Sequence, residues 1–229
     1  MFINRQQAGS LLAKEIANHI EQHGQFDKDH TVVLGLPRGG VPVALEIALA
    51  LNCPLNVITS KKIGAPDQSE LAVGAVTADG VVVIDEKLTE HLGISPVYIE
   101  KERDYLADKT KKLEQTVRRS AGLEVNVDLR EKQVIVVDDG VATGMTAIAA
   151  ARSLRGQGAK TIIFVTPVIS RRAYFLLRQE YDQVIGLEIP EDFQAVGQFY
   201  IDFSQVNDGE VVSALTLAKN REVVSEFVR

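Results

Sequence analysis

The chain has 229 residues, 45% of them hydrophobic, which is enough for one sizeable core with at most a small appendage. Its 25 Lys and Arg against 31 Asp and Glu give a formal net charge of -6 without a long basic block, which argues against nucleic acid as a partner. Cys53 is the sole cysteine, so an intrachain disulfide is excluded and a cysteine-based zinc site is disfavoured; no signal-peptide core or membrane-length apolar run appears, so no membrane partner and a cytoplasmic location are expected.

Residues 6–23 carry a helical apolar stripe of Ala8, Leu11, Leu12, Ile16 and Ile20. Thr31 to Leu36 reads as a buried strand, Gly35 to Gly40 as a loop, and Val41 to Leu51 as a helix with Pro42 in its first turn. Leu55 to Ser60 is a second strand. Lys61 to Glu70 reads as a polar loop containing Gly and Pro. Leu71 to Val76 and Val81 to Asp85 flank Thr77-Ala-Asp-Gly80, a hairpin pattern. Residues 96–119 form a highly charged helix with a thin apolar face. Its Arg103, Lys111, Lys112, Arg118 and Arg119 read as a solvated face or an oligomer contact, with a basic end near the active site as the alternative. Further strands are expected at 134–137, 161–166 and 183–187, with helices at 146–157, 170–180 and about 208–218. Alternating strands and helices predict an α/β fold, a mainly parallel sheet flanked by helices. His19, His23, His30 and His91 are scattered without ligand spacing and read as surface residues.

The segment Val134 to Thr146 carries the chemistry. Four apolar β-formers run into Asp138 and Asp139, followed by Gly140-Val-Ala-Thr-Gly-Met-Thr146 and then a helix. A helix N-terminus offers unpaired N–H groups and the positive end of a dipole, so this layout suits phosphate. Two carboxylates repel phosphate but suit a sugar diol or a metal beside it. Phosphate donors next to diol acceptors fit a ribose 5-phosphate.

This segment resembles the 5-phosphoribosyl-1-pyrophosphate (PRPP) motif of the type I phosphoribosyltransferases. The resemblance implies that Asp138 and Asp139 contact the ribose hydroxyls, and Mg2+ mainly through PRPP and water. It implies that Gly140, Val141, Ala142, Thr143, Gly144, Met145 and Thr146 bind the 5-phosphate. It also implies a flexible-loop hairpin, matched by 71–85, and a small hood over the strand ends. The whole chain 1–229 is expected to be one phosphoribosyltransferase domain. Its core spans about 30–190, its hood comes from 1–25 and 188–229, and the helix at about 96–120 is a charged insertion.

Two other loops match the same family. Gly35-Leu-Pro-Arg-Gly-Gly40 follows the first core strand, where the family contacts pyrophosphate and often holds a non-proline cis peptide. Arg38, Gly39 and Gly40 take that role, with the cis bond expected between Arg38 and Gly39. Lys61 and Lys62 stand where basic residues lead into a mobile loop that shields the reaction from water. The variable parts differ from the hypoxanthine, orotate, adenine and uracil enzymes and resemble an uncharacterised bacterial subgroup.

The implied reaction is displacement of pyrophosphate from C1 of PRPP by a nitrogen nucleophile, with Asp138, Asp139 and Lys62 as the catalytic candidates and Asp139 nearer the acceptor. Mg2+ is the expected cofactor. PRPP and a small-molecule acceptor are the expected partners, a homodimer is the expected assembly, and nucleotide metabolism is the expected setting. Phe193, Phe199 and Tyr200 could stack on a planar base, although at least two of them are expected in the core. Two rivals differ in class. A PRPP-sensing regulator would carry a DNA-binding segment, and none is seen before residue 30. A PRPP synthetase-like subunit would carry a duplicated domain.

Overall fold

The computed structural model describes residues 1–23 and 26–227. Its centre is a five-stranded parallel sheet in the order β2-β1-β6-β7-β8, formed by β1 (Thr31–Gly35), β2 (Leu55–Val57), β6 (Gln133–Val137), β7 (Thr161–Val168) and β8 (Gln183–Glu188). All of β1 is buried, which explains why these strands are continuous apolar runs rather than alternating ones. Two hydrophobic clusters cover the two faces. Leu34, Val136, Phe164 and Ile162 pack with α5 (Met145–Gly156) and α6 (Arg171–Leu177). Val33, Ile135, Val137 and Val165 pack with α1 (Arg5–His23), α2 (Gly40–Leu51) and α7 (Asp208–Phe227).

A second, antiparallel sheet has the order β3-β4-β5, from β3 (Ser60–Ala65), β4 (Gln68–Thr77) and β5 (Val82–Ile84). The hairpin expected around residues 77–80 is β4–β5. The expected loop from Lys61 to Glu70, however, is mostly strand. Only Pro66 and Asp67 form a turn, and Asp67 adopts φ 62°. Gly64 and Pro66 suggested a loop, but Ile63 and Ala65 alternate into a cluster with Val73, Val76, Ile99 and Leu106. α4 (Pro96–Ser120) supplies the last two of these. A short helix, α3 (Glu86–His91), was not anticipated; Asp85 caps it by accepting from the Leu88 amide at 3.1 Å. α7 runs nine residues beyond the expected end at 218.

The charged face of α4 is not wholly solvated either. Arg118 is half-buried, pairs with Glu114 at 3.0 Å and donates to Asn56 Oδ1 and to the Val57 and Val125 carbonyls, so it ties α4 to the sheet. His19 is half-buried beside Gln183, not solvated. Phe2 bridges Tyr200 just before α1 begins at Arg5, so the two segments expected to form the hood, 1–25 and 188–229, touch there. Residues 24–25 and 228–229 of those segments lie outside the described residues.

The direction of travel changes between β1 and β6. From β1 the chain crosses through α2 to β2, and from β6 it crosses through α5 to β7 on the other side. At such a point the two strand-to-helix loops part and leave a crevice at the carboxyl ends of the strands. Both motifs singled out in the sequence emerge there.

Candidate active site

Asp138 and Asp139 follow directly on buried β6. Asp138 is half-buried, and its Oδ1 accepts the Asp139 amide at 2.9 Å. Burial, then the neighbouring Asp139 charge, hold its carboxyl well above the ordinary carboxylate range, with Lys62 acting in the opposite sense. Among the described residues no cationic side chain pairs with it. The like-charged pair is therefore electrostatically unfinished on the Asp138 side.

Asp139 is engaged on three sides. Arg5, the first residue of α1, donates from Nε to Asp139 Oδ2 at 2.7 Å, and both side chains are largely buried. Arg5 also donates to the Ser204 carbonyl at 2.7 Å, and its guanidinium lies 4.0 Å above the Phe203 ring. The Tyr200 hydroxyl donates to the Asp139 carbonyl at 2.6 Å. A Cβ on Gly39 would stand 1.9 Å from Asp139 Oδ2, so the two loops touch and only a residue without a side chain fits. Sequence reasoning missed Arg5, because nothing local marks it; its partner is 134 positions away. Tyr200, considered for stacking on a base, is instead 5% exposed. Phe193 and Phe199 are partly buried against each other, with ring centres 5.4 Å apart.

The loop after the acids does two things. Gly140 lies beneath Val196. Val141 is buried in a bridge to Ile169, and its amide is used by the Val168 carbonyl at 2.9 Å. That amide is spent, so Val141 has no free N–H to offer an anion. From Ala142 onward the amides are open: among the described residues, those of Ala142, Thr143, Gly144, Met145 and Thr146 have no acceptor, and no side chain caps α5. Ser170 Oγ holds the Ala142 carbonyl at 2.6 Å, and Ser60 Oγ holds the Thr146 carbonyl at 3.1 Å. Gly144 takes φ 82°, a left-handed conformation that swings the chain into the helix at little cost only without a side chain. Ala142 and Thr143 are exposed, and Met145 and Thr146 are half-buried.

The β1–α2 loop is stitched to the acidic strand end, since the Leu36 amide donates to the Val137 carbonyl at 2.8 Å. The cis peptide is present but lies between Pro37 and Arg38, one bond earlier than expected. Gly40 opens α2, with its amide on the Leu36 carbonyl at 3.0 Å. Arg38 is exposed, 3.9 Å from Asp208 at the start of α7.

Lys61 and Lys62, adjacent in sequence, do not share a site. Strand residues alternate between faces. Lys61 shares its face with Ile63 and Ala65, toward α4, and lies near Lys109, Arg38 and Asp208. Lys62 shares its face with Ser60, which bonds to α5, and its charge bears on Asp138. For a metal, no group of three or more His, Cys, Asp or Glu side chains forms a cage among the described residues.

The Phosphoribosyl transferase domain family matches residues 3–204, which include both loops and the Arg5–Asp139 pair. The chain belongs to that family. This phosphoribosyl transferase domain is 36% identical over 219 residues to Rv0571c of Mycobacterium tuberculosis, which carries a provisional phosphoribosyl transferase name; the alignment covers 95% of this chain and 47% of that protein. The chain thus spans about half the length of the curated relatives it matches. A ribose-phosphate pyrophosphokinase of Campylobacter jejuni is 27% identical over 166 residues, covering 72% of this chain and 48% of its own. Among solved structures, TT1426 from Thermus thermophilus superposes with a TM-score of 0.76 at 34% identity, covering 95% of this phosphoribosyl transferase domain and 98% of TT1426. The five-stranded parallel sheet and its flanking helices form the type I phosphoribosyltransferase fold.

Proposed function

We propose that the protein is a Mg2+-dependent phosphoribosyltransferase that moves the 5-phosphoribosyl group of PRPP onto a nitrogen of a nucleobase-like small molecule and releases pyrophosphate. One observation carries this reading: unused amides at 142–146 open the helix that follows a carboxylate, Asp138, which feels the charge of Lys62 but makes no salt bridge among the described residues. The amides and the dipole of α5 suit a 5-phosphate. The Asp138 and Asp139 oxygens suit ribose hydroxyls. The family match supports the same chemistry.

The displacement needs orientation and charge stabilisation more than covalent help. The acceptor nitrogen lends its lone pair to C1 as the C1–O bond breaks, and the bonding electrons leave on pyrophosphate. Arg38 in the β1–α2 loop and Lys61 beside it would receive that charge. Lys62, on the other face of β3, would offset the acids near the sugar. Arg5 fixes Asp139, so Asp138 is the more available of the two acids. A pair of adjacent carboxylates without a cage fits a Mg2+ held mainly by PRPP oxygens and water, which would supply Lewis-acid stabilisation of the leaving group. In this reading the chain is one domain with α1 and the segment after β8 as hood over the acceptor, acting as a homodimer in the cytoplasm.

The test is pyrophosphate release from PRPP with Mg2+, screened across nucleobases and small amines. Acceptor-dependent release is expected with at least one class. PRPP binding without release for any acceptor would favour a PRPP-sensing protein.

A further inference from the structure

The sequence marks Lys61 and Lys62 as one basic pair, but the structure divides them and adds a third lysine to one side. A cavity of about 490 Å3 opens between the β1–α2 loop, the start of β3, α4 and the first residue of α7. Its charged lining is Arg38, Lys61, Lys109 and Asp208. Three cations face one carboxylate, and that carboxylate reaches Arg38 only at 3.9 Å. In a chain of net charge -6 this is a local excess of positive charge in a concave site.

The excess is felt by the lysine at its centre. Lys61 is held below the ordinary lysine range by burial and by the charges of Lys109 and Arg38, against the pull of Asp208. Like charges gathered at a partly desolvated site repel until an anion enters. Lys109 lies on α4, one helical turn beyond Leu106, which packs in the cluster shared with Ile63 of β3. Its ammonium is 5.6 Å from the Tyr105 ring centre. The cavity is also close to the acids: Arg38 precedes Gly39, which abuts Asp139.

We propose that Lys109 of α4 joins Arg38 and Lys61 in binding the pyrophosphate end of PRPP, so that the leaving group is held on the α4 side of β3 while the ribose 5-phosphate is held on the α5 side. This rests on the PRPP reading above. As the C1–O bond breaks, its electron pair moves onto the pyrophosphate oxygen, and this three-cation cavity receives the charge. The long charged helix thereby has a part in the site and is more than a solvated surface.

Calorimetry of the full chain with two separate probes, Mg2+-pyrophosphate and ribose 5-phosphate, tests the assignment. Lys109→Ala should weaken pyrophosphate binding roughly tenfold, the scale of one charge-assisted contact, and leave ribose 5-phosphate binding unchanged. Lys109→Arg should restore most of the loss, and an unshifted melting temperature in both variants should show that the fold is intact. Wild-type pyrophosphate affinity in Lys109→Ala, or an equal loss for both probes, would overturn the role of Lys109 while sparing the PRPP reading. Wild-type protein that binds neither probe would overturn the PRPP reading itself, and this assignment with it.

Discussion

The β1–α2 and β6–α5 loops are built alike and finished oppositely. Both leave buried parallel strands that are paired with each other, both open helices of 12 residues, and both do so without a side-chain cap. The first offers a cation, Arg38, on a backbone stitched to its neighbour through Leu36 and Val137. The second offers two carboxylates and a row of open amides. Each also needs a glycine for a different reason: Gly39 gives room against Asp139, and Gly144 gives a left-handed turn. A shared strand–loop–helix frame therefore sets where ligand groups can sit, while the loop residues set which charge each position accepts. In a PRPP reading the frame separates pyrophosphate from ribose.

The largest test of that separation removes one acid. Asp138→Asn should reduce Mg2+-dependent PRPP affinity by about a thousandfold by calorimetry, a loss of about 4 kcal/mol. The same variant should be more stable than the parent at pH 8. Burial and Asp139 raise the Asp138 carboxyl in the folded chain, so folding takes up protons there. Its unfavourable contribution is absent below the pKa of the unfolded carboxyl. It grows as pH rises from that value to the raised one and is constant beyond. Melting temperatures should accordingly differ most at pH 8 and converge toward pH 4. A variant less stable at pH 8, with affinity retained, would remove the contrast between the loops.

The next test acts on the acid that is already paired. Arg5→Ala leaves Asp139 largely buried without its guanidinium and should cost about 3 kcal/mol in denaturant unfolding. Adding Asp139→Asn should recover part of that loss, because the orphaned charge is gone. A full loss in the double variant would mean that Arg5 acts through Phe203 and Ser204 instead.

The smallest effects come from the glycines. Gly39→Ala must displace Asp139 and should cost about 2 kcal/mol, with a parallel loss of PRPP affinity. Gly144→Ala has neighbours at ordinary contact distance, 3.5 Å or more, and meets only the strain of φ 82°, about 1 kcal/mol. If Gly144→Ala is the more damaging in unfolding and binding, the loops differ less in crowding than their geometry implies.

The parallel sheet and the acid-to-helix motif are legible in the amino-acid order, because both depend on contiguous residues. The short β-branched run Val134 to Val137 favours a buried strand, and Asp138 to Thr146 carries its order in consecutive residues. What closes on that motif comes instead from long-range packing. Arg5 reaches Asp139 and Tyr200 reaches its carbonyl across 134 and 61 positions, and no local pattern encodes such meetings. It likewise spent the Val141 amide on β7 and moved Lys61 to the side of α4. That last division has a simple cause: residues 60–65 form a strand, and a strand sends adjacent side chains to opposite faces.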